Sequence, residues 1–372
     1  MKTITIFGLI YSQHVSNFVG TIKKFSDFRF LGLNKKEDVI HGEAYLKQSQ
    51  EAFDEIYDLP RSKNHVLDII QRAILSFGVI GKYAKKSDIV QFHFISTFVL
   101  PLALIVKIVS KAKISSFIYG SDLLRANKIE SWCIARVFSM SDSIVCDSSL
   151  VLNELQRRFP KYTSKMSRLY FGSPIIDRLL NVDSGNSNQI IDSKGKKVIM
   201  CGYNDSKGQQ HLRIIDSLKE VAKDFYWVFP MTYGDKDKEY IDKVRTAIEN
   251  LGADYLLLDS FLTDEEWTNY ILSTDVFIHM QVSDAFSSSI AEHLLLGHIL
   301  INGSWLPYKD LDDNDIFYIS SSFEDLQQNI LKAISDYPVI EGKLKSNKDK
   351  IVRMKSLDYC IRNYWIPYFM EL

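Results

Sequence analysis

Short β-branched or aromatic segments alternate along this chain with longer segments of helical spacing, and this alternation is the strongest constraint on the fold. A first series of strand-like segments comprises TITIFG, DIVQFHF, ISSFIYG and SIVCDSS. A second series comprises KKVIMCG, DFYWVFPM, ADYLLLDSF, DVFIHMQ and HILINGS. Strands and helices that alternate in this way build βαβ units and parallel sheets. We therefore predict two α/β domains of doubly wound, Rossmann-like topology.

The two series are separated by a segment rich in Asn, Ser, Gly and Asp, residues 179–197, which has the composition of a linker. A chain of 372 residues also exceeds the length at which one hydrophobic core usually stops growing. We predict an N-terminal domain at 1–185, a C-terminal domain at 190–345, and a final helix at 346–372 that packs back toward the N-terminal domain. The aromatic cluster of that helix favours packing over ligand binding; it consists of Tyr364, Trp365, Tyr368 and Phe369.

The composition is that of an ordinary globular protein, with 46% hydrophobic and 24% charged residues. The four cysteines are scattered without a CxxC pair, which argues against a zinc site and against a disulfide framework. The N-terminal run MKTITIFGLIYS lacks the pattern of a secretory signal. The longest apolar stretch, residues 98–109, is too short to span a bilayer. We therefore expect a cytoplasmic protein.

Charge is distributed unevenly along the chain. Up to residue 180 there are 25 Lys and Arg against 16 Asp and Glu, and the remainder has 20 against 30. A basic N-terminal half is attracted to anionic lipid or polyanions, and this suggests contact with a membrane surface; dispersed, solvated charge is the alternative explanation. No basic stripe with interleaved aromatic residues marks a nucleic-acid groove, so we expect no nucleic-acid partner.

The segment DAFSSSIAEHLLLG, residues 284–297, follows a strand-like run and carries the main indication of function. Its second part has the apolar spacing of a helix that ends at a glycine, with Ser287 or Ser288 as the N-cap. Small residues such as Ser287, Ser288 and Ser289 let a ligand approach the backbone. The N–H groups of the first helical turn attract an anion such as a diphosphate.

Two acids, Asp284 and Glu292, flank these serines. Carboxylates beside an anion site are explained if they accept hydrogen bonds from hydroxyl groups. Glu292, one turn into the helix, is placed to bind a ribose, and Asp284, in the loop, is placed to bind a sugar. The alternative is that Asp284 only caps a turn and Glu292 only faces solvent.

After a late strand, an acid is followed by seven residues and then a glutamate. This pattern resembles that of the retaining glycosyltransferases of the GT-B fold, especially family 4. The family motif begins EGFG and ends LEAMACG, so that Asp284 replaces the first Glu and Ser287 the second Gly. The segment KKVIMCGYNDSKGQQHL resembles the family's strand, Gly, Arg and Lys-Gly segment. The resemblance places Gly202 on the glycine and Lys207 on the lysine that neutralises the donor diphosphate.

The family arginine that follows this glycine is absent, and Tyr203 and Asn204 stand in its place. A phosphate site would therefore depend on Lys207 alone or also recruit Arg213. The alternative for Lys207 is an exposed lysine in a loop.

In the first half, His93 and Asp122 each lie at the end of a strand-like run, at the sheet edge where ligands bind in open α/β sheets. Family 4 chains often carry a histidine after the first of these strands, and a loop with His or Asp after the next. A histidine satisfied within the core is the alternative for His93. Gly8 lies where the family has a glycine-rich turn near the donor phosphates, and His14 is a further candidate there.

The resemblance implies a GT-B architecture, in which two Rossmann-like domains with parallel sheets face a cleft. It implies a glycosyltransferase of the hexosyltransferase type that uses a nucleotide-diphosphate sugar, with UDP as the expected nucleotide, and retains anomeric configuration. His93, Asp122 and Asp284 would be catalytic, and the donor would be held by Gly8, Gly202, Lys207, Asp284, Ser287, Ser288, Ser289 and Glu292. We expect no metal requirement, because the acidic pairs at 235–237 and 310–312 lie in charge-rich loops.

The segment PMTYGDKDKEY also resembles bacterial enzymes that transfer 4-acetamido-4,6-dideoxygalactose to a lipid-linked acceptor. With the basic N-terminal half, this suggests a glycan or lipid-linked glycan acceptor at the cytoplasmic face of the inner membrane, in O-antigen, capsule or lipopolysaccharide biosynthesis. The alternatives are a GT-B nucleotide-sugar 2-epimerase and, given the missing arginine, a non-catalytic sugar-nucleotide-binding partner of a transferase. The chain contains neither GxGxxG after its first strand nor a GxxxxGK[ST] loop, so a nicotinamide dehydrogenase and a P-loop NTPase lack support.

Overall fold

A computed structural model describes residues 1–34, 43–58, 65–182, 190–260, 262–284, 286–306 and 308–372. These residues divide into two compact units: unit 1 is Met1–Pro174 with Leu357–Leu372, and unit 2 is Ile175–Ser356. The division lies before the Asn- and Ser-rich segment because the helix Pro174–Asn181 is bound to unit 2. Its Arg178 forms an ion pair with Asp264, and its Asp177 accepts a hydrogen bond from Ser356.

In unit 1 the described strands form one parallel sheet, in the order β3-β2-β1-β4-β5-β6-β7. The strands are β1 Thr3–Phe7, β2 Arg29–Asn34, β3 Glu55–Asp58, β4 Ile89–His93, β5 Lys113–Ile118, β6 Ser143–Cys146 and β7 Met166–Arg168. The chain runs outward from β1 to β3 and then returns to β4 on the other side of β1. The point where the direction reverses therefore lies between β1 and β4.

The first seven helices belong to unit 1. They are α1 Gln13–Phe25, α2 Glu43–Ala52, α3 His65–Ala84, α4 Val99–Val109, α5 Ser121–Leu124, α6 Lys128–Met140 and α7 Ser149–Arg158. Apolar residues of α3, α4, α6 and α7 form one core cluster with the sheet, and α1 contributes to a second cluster. The sheet is therefore covered on both faces, as parallel sheets require.

Unit 2 has a second parallel sheet in the order β10-β9-β8-β11-β12-β13. Its strands are β8 Lys197–Cys201, β9 Phe225–Pro230, β10 Asp254–Leu258, β11 Val276–His279, β12 Ile299–Gly303 and β13 Ile319–Ser321. Its helices are α8 Pro174–Asn181, α9 His211–Ser217, α10 Lys238–Asn250, α11 Asp264–Leu272, α12 Ser288–Leu296, α13 Lys309–Asp312, α14 Leu326–Ser335 and α15 Tyr337–Lys355. Here the reversal lies between β8 and β11.

The C-terminal segment of unit 1 consists of α16 Leu357–Cys360, a π-helical turn Ile361–Trp365 and α17 Ile366–Glu371. Trp365 is fully buried, and its ring meets that of Phe18 with centroids 4.8 Å apart. At the end of the chain, the Lys2 ammonium donates hydrogen bonds of 2.8 Å to the backbone carbonyls of Phe369 and Met370. Packing is therefore the role of Trp365, as the sequence indicates, and a cation satisfies the last helical carbonyls.

The prediction of an α/β fold with two parallel-sheet, Rossmann-like units is confirmed. None of the helices in the described ranges is long and apolar enough to cross a membrane.

Candidate functional site

The best-supported site of unit 2 lies at the carboxyl ends of β8 and β11, where the strand order reverses. Open α/β sheets bind ligands in the crevice at this position, because helix N-termini and loops converge there. Gly202 directly follows β8, and Asp284 lies in the loop between β11 and α12. The structure therefore places the two segments that resemble the family motifs on adjacent strands.

Asp284 is held from three directions through one oxygen. Its Oδ2 accepts hydrogen bonds from the Tyr308 hydroxyl at 2.6 Å and from the Ser287 backbone N–H at 2.8 Å. His279 Nε2 lies 3.5 Å from the same oxygen. In the described part of the chain, the other oxygen, Oδ1, has no hydrogen-bond partner. The carboxylate is thus fixed in orientation while one oxygen remains for a ligand.

The proton positions in this cluster follow from its geometry. Tyr308 has one phenolic proton, which is donated to Asp284, so the Tyr308 oxygen accepts from His279 Nε2 at 2.9 Å. Burial alone would raise the pKa of Asp284, but the nearby His279 and the hydrogen bonds from Tyr308 and Ser287 outweigh it and lower the pKa to about 2. Asp284 is therefore ionised at neutral pH.

The N-terminus of α12 presents free backbone donors beside this carboxylate. Ser287 is the N-cap residue, but its side chain makes no capping bond, and the loop is instead closed by the Ser287 N–H to Asp284 bond. Ser288 is exposed and Ser289 is buried. The first-turn N–H groups of a helix have no intrahelical partners and carry partial positive charge, so an anion is favoured here.

Glu292 lies one turn into α12, and its side chain is buried rather than facing solvent. Its Oε2 accepts a hydrogen bond from Trp267 Nε1 at 3.2 Å, and Trp267 lies on α11. Burial raises the pKa of Glu292 to about 7, although the bond from Trp267 acts in the opposite direction. A buried carboxyl group with one protein donor retains the capacity to accept further hydrogen bonds.

Two tyrosines border the same space. The Tyr203 hydroxyl donates to Gln281 Oε1 at 3.0 Å, and burial together with the Asp284 charge raises the pKa of Tyr203. Tyr233 lies in the loop after β9 and is 53% exposed. Asp284 is bound to the N-cap residue of α12, and Glu292 lies one turn into the same helix, so the structure brings both acids to the N-terminal part of α12.

Lys207 is in an exposed position and has an acidic partner. Its ammonium lies 2.6 Å from Asp237 Oδ2, and its backbone N–H donates to Asp235 Oδ2 at 3.1 Å. Arg213 has a different environment: its guanidinium lies 3.8 Å from the centre of the Phe323 ring and donates to the Gln210 side chain. Lys207 is thus an exposed cation of the loop after β8 with an acidic partner, whereas Arg213 stacks on Phe323.

Gly202 occupies a position that a larger residue would disturb. Its φ is +65°, in the left-handed region, and an added Cβ would lie 2.8 Å from Gln209 Oε1 and 2.9 Å from His211 Nε2. Both atoms are buried without a hydrogen-bond partner among the residues described. Glycine is required here for backbone conformation and for space.

Unit 1 has a comparable arrangement between β1 and β4. Gly8 has a φ of +94°, and a Cβ added there would lie 2.7 Å from the His93 carbonyl oxygen. The His93 ring is buried and uses both nitrogens, Nδ1 with the Tyr119 hydroxyl at 2.7 Å and Nε2 with Gln91 Oε1 at 3.0 Å. Burial lowers the pKa of His93 to about 3, so the ring is neutral. His14 stacks on Phe171, with ring centroids 4.1 Å apart.

Asp122 connects two loops at the same edge of unit 1. Its Oδ2 accepts from the Ile95 N–H at 3.0 Å, and its Oδ1 accepts from the N–H groups of Tyr119 and Gly120 at 3.1 and 3.0 Å. Burial raises the pKa of Asp122 to about 6, against the effect of these backbone donors. Both carboxylate oxygens therefore hold the loops that follow β4 and β5.

The sequence assigned no role to five site residues: His279, Tyr308, Trp267, Tyr233 and Gln281. His279 and Gln281 belong to the strand-like run DVFIHMQ just before the Asp284 loop, and Tyr233 belongs to the segment PMTYGDKDKEY, so these three lay within recognised segments. Tyr308 and Trp267 reach the site from the region after β12 and from α11, which no local pattern connects to α12. Across the described residues, no group of three or more His, Cys, Asp or Glu side chains is arranged to hold a metal ion.

No protein-family model matches the chain, and no curated protein matches it in sequence. Solved structures do match it. A glycosyltransferase from Rickettsia africae ESF-5 is 15% identical, with a TM-score of 0.74 over 99% of this chain and 98% of that one. Anabaena HepE in complex with UDP and glucose is 12% identical, with a TM-score of 0.71 over all of both chains. A UDP-N-acetylglucosamine 2-epimerase is 14% identical, with a TM-score of 0.64 over 100% of this chain and 96% of that one.

Likeness at such low identity concerns the fold. The chain has the GT-B fold, with one Rossmann-like parallel sheet in each unit. Because glycosyltransferases and an epimerase share this fold, the activity has to be argued from the residues of the site.

Proposed function

We propose that the chain is a glycosyltransferase that binds a nucleotide-diphosphate sugar in unit 2. One observation carries the proposal: the buried Glu292 and the largely buried Asp284, whose side chain is 9% exposed, lie beside the free N-terminus of α12, at the reversal point of the sheet. Buried acids next to an anion-attracting helix end suit a ligand that combines phosphates with hydroxyl groups. A nucleotide sugar is such a ligand.

The proposal assigns each part of the donor to a different group. The first-turn amides of α12 and the Lys207 ammonium bind the diphosphate, and Glu292 accepts hydrogen bonds from the ribose. Lys207 exchanges Asp237 for the diphosphate at little cost, because ion pairs between exposed groups are screened by solvent and contribute little to stability. We propose UDP as the nucleotide, which is supported by the UDP bound to HepE and the UDP-sugar in the name of the epimerase.

Asp284 is proposed to orient the donor sugar through Oδ1. We further propose hexosyl transfer with retention, in which an oxygen of the departing diphosphate helps to remove the acceptor proton on the same face. The protein then contributes positioning and electrostatic stabilisation of the leaving group. Lys207 and the α12 amides provide the positive charge, and the proposal requires no metal ion.

We propose that His93 and Asp122 support acceptor binding by fixing the conformation of the loops that follow β4 and β5. His93 is neutral and both of its nitrogens are engaged, and Asp122 holds backbone amides with both oxygens. We propose a glycan or lipid-linked glycan acceptor in bacterial surface polysaccharide biosynthesis, at the cytoplasmic face of the inner membrane. The excess of basic residues before residue 180 supports this acceptor.

A second candidate function is a nucleotide-sugar 2-epimerase, which the likeness to the UDP-N-acetylglucosamine enzyme favours. A sugar-nucleotide-binding protein without activity is a third. Products separate the three: transfer releases UDP and forms a glycoside, epimerisation forms a new sugar nucleotide, and binding alone forms neither. UDP-glucose, UDP-galactose and UDP-N-acetylglucosamine incubated with a bacterial lipid extract provide this test.

Donor binding is tested by thermal shift with UDP, GDP, TDP and CMP. UDP is expected to stabilise the wild type, by about 2.7 kcal/mol at a hundredfold excess over the Kd. Glu292→Ala is expected to weaken this stabilisation, and Glu265→Ala, a change at an exposed glutamate on α11, is expected to leave it unchanged. If no nucleotide stabilises the folded wild type, or if both variants respond like the wild type, the assignment of Glu292 is wrong.

A further inference from the structure

A second pocket of unit 2 carries an exposed tryptophan. Its volume is about 380 Å³, within the range of about 300–1,000 Å³ that is usual for small-molecule sites. The loops that follow β11, β12 and β13 form its walls together with the first turn of α9. We call it the Trp305 pocket; its lining includes Gln210, Arg213, Val282, Trp305, Phe323 and Glu324. It lies at the carboxyl edge of the sheet, where open α/β sheets bind ligands.

Trp305 is held in one orientation and keeps exposed surface. Its indole Nε1 donates to the Gln281 backbone carbonyl at 2.8 Å, and its ring stacks on Phe323 with ring centroids 5.3 Å apart. Trp305 is nevertheless 39% exposed, and Val282 beside it is 61% exposed. A ring that is fixed before a ligand arrives loses little conformational freedom on binding, so the pocket is pre-organised for an apolar contact.

Polar groups of both kinds stand around this ring. The Arg213 guanidinium lies 3.8 Å from the centre of the Phe323 ring and donates to Gln210 Oε1 at 2.8 Å. Among the residues that the structure describes, Arg213 has no acidic partner within ion-pair distance. The pKa of the exposed Glu324 is lowered by its backbone and Ser322 hydrogen bonds and by the Arg213 charge, so Glu324 is ionised at neutral pH. The pocket therefore offers both N–H donors and a carboxylate acceptor.

We propose that the Trp305 pocket binds one sugar residue of a glycan. A sugar ring presents C–H groups on its face, which pack against an aromatic side chain, and hydroxyl groups at its edge, which both donate and accept hydrogen bonds. Trp305 and Val282 supply the apolar contact. Arg213 donates to hydroxyl oxygens, and Glu324 accepts from hydroxyl groups. Arg213 is thus assigned to this pocket and not to the donor diphosphate.

A nucleotide base is the alternative occupant of an aromatic pocket, and the two faces of the sheet argue against it. Ile278 of β11 belongs to the core cluster formed with α9 and α14, and within the described ranges that cluster has no member from α11 or α12. The adjacent Phe277 stacks instead on His293 of α12, with ring centroids 4.1 Å apart. Successive residues of a strand point to opposite faces. Glu292 on α12 therefore belongs to the face opposite α9 and α14, and a base joined to a ribose at Glu292 does not suit the Trp305 pocket.

The Trp305 pocket adjoins the proposed donor site through Gln281. The Gln281 side chain accepts from the Tyr203 hydroxyl, and its backbone carbonyl accepts from Trp305. In the proposed glycosyltransferase the bound sugar is a residue of the glycan acceptor, and this assignment rests on the proposed function. Binding of a free sugar requires no nucleotide, so the pocket is tested separately from the donor site.

Nuclear magnetic resonance of the isotope-labelled chain observes the indole N–H of each tryptophan. The Trp305 signal is identified by its loss in Trp305→Phe. Glucose, galactose, mannose, N-acetylglucosamine and N-acetylgalactosamine are titrated to millimolar concentrations without nucleotide. We expect at least one of these sugars to shift the Trp305 signal in a saturable way and to leave the signal of the fully buried Trp227 in place.

Variants locate the binding in the pocket. Trp305→Ala is expected to raise the Kd of that sugar about tenfold, because the apolar contact is lost, and Trp305→Phe is expected to retain most of the affinity. Arg213→Gln is expected to raise the Kd about fivefold, because hydrogen bonds to the sugar are lost. Saturation-transfer measurements on the sugar give these Kd values, and circular dichroism with the melting temperature checks folding.

Two matched controls lie away from the pocket. Trp132→Ala changes a tryptophan of unit 1 that is 54% exposed, and Arg245→Gln changes an arginine of α10 that pairs with Asp242. Both should bind the sugar like the wild type. UDP is the second ligand, and its thermal stabilisation of Trp305→Ala is expected to equal that of the wild type.

The proposal is overturned if no sugar shifts the Trp305 signal, or if Trp305→Ala binds the sugar as tightly as Trp132→Ala does. It is also overturned if Trp305→Ala loses the response to UDP, because the pocket then belongs to the nucleotide. A wild type that binds a sugar at Trp305 but does not respond to UDP supports the Trp305 pocket and contradicts the donor site alone.

Discussion

The Tyr308 hydroxyl helps to hold the ionised carboxylate of Asp284 in its orientation. Tyr308→Phe removes the donor to Asp284 Oδ2 and the acceptor for His279 while it retains the ring. Because Asp284 is proposed to orient the sugar, we expect the Kd for UDP-glucose to rise about tenfold and the Kd for UDP to change less than about twofold. The size of the first effect follows from the contribution of a hydrogen bond to a charged group, typically about 1.5–3 kcal/mol. Isothermal titration with both ligands measures the difference.

Tyr318→Phe is the matched control for this change. It removes a hydroxyl that also donates to an aspartate, Asp312, at 2.9 Å, but on an exposed part of unit 2. Both ligands should bind this variant as they bind the wild type. Equal weakening of UDP and UDP-glucose by Tyr308→Phe would contradict the role of Asp284 in sugar binding.

Glu292 makes stability depend on pH. Its pKa is raised by burial to about 7 in the folded protein, whereas the unfolded chain has the ordinary value of 4.5. Between these values the folded state holds the proton more tightly, so stability contributed by the protonated form is present below pH 4.5 and is lost as pH rises to about 7. The loss is on the order of 3 kcal/mol, at about 1.36 kcal/mol for each pH unit.

Glu292→Gln removes this titration, because an amide stays neutral. We expect the variant to gain stability relative to the wild type between pH 5 and pH 8, measured as the urea midpoint of unit 2 in the absence of nucleotide. A constant difference between the two proteins over this range would show that Glu292 does not titrate there.

At the scale of elements, the loops after β8 and β9 depend on close contact at Gly234. This residue has a φ of +135°, and an added Cβ would lie 2.1 Å from Asp205 Oδ1 and 3.0 Å from the Ser206 nitrogen. Gly234→Ala must therefore push apart the loops that position Lys207. We expect a loss of about 2–4 kcal/mol in stability, from backbone strain together with the clash.

Gly195→Ala separates strain from the clash. Gly195 also has a positive φ, +78°, but an added Cβ meets nothing within 4 Å. We expect it to cost about 1 kcal/mol, which is the backbone contribution alone. Differential scanning calorimetry of both variants provides the comparison, and equal melting temperatures would mean that the two loops move apart without cost.

Sequence patterns predicted those elements whose signal is local. The nine strand-like runs correspond to strands, because each alternates or concentrates apolar residues over enough positions to be recognised. Strands β3, β7 and β13 have three or four residues and lie at sheet edges, where such a signal is too short. Strand β2 has an interior glycine, Gly32, which lowers its strand propensity.

The same distinction between local and distant signals applies to the candidate site. Asp284, Ser287 and Glu292 lie within one loop and one helix, so their spacing can be recognised in the sequence. The partners that set their protonation come from other elements: Trp267 from α11 and Tyr308 from the region after β12. Such contacts arise from the packing of elements distant in sequence. The same packing gave Lys207 an acidic partner, Asp237, at the start of α10.

At the scale of the whole molecule, the chain begins and ends in unit 1. The C-terminal segment from Leu357 fills the core beside α1, and Trp365 is its largest fully buried side chain. It contacts Phe18, Phe117 and Phe171, with ring centroids 4.8, 5.6 and 5.8 Å apart, and donates to the Tyr170 carbonyl at 3.0 Å. Residues 357–372 are therefore part of the core of unit 1.

Trp365→Ala tests whether the two units can lose stability separately. Removing a buried tryptophan typically costs about 3–5 kcal/mol, so we expect unfolding of unit 1 at a distinctly lower temperature. The groups proposed to bind UDP through the ribose and diphosphate, Glu292, Lys207 and the first turn of α12, lie in unit 2. The midpoint of the transition that UDP raises should therefore be the same in Trp365→Ala as in the wild type. Trp132→Ala, at a tryptophan that is 54% exposed, should change neither transition. If calorimetry shows a single transition, and Trp365→Ala lowers both its temperature and its response to UDP, the two units unfold as one cooperative body. Donor binding then depends on the core to which residues 357–372 contribute.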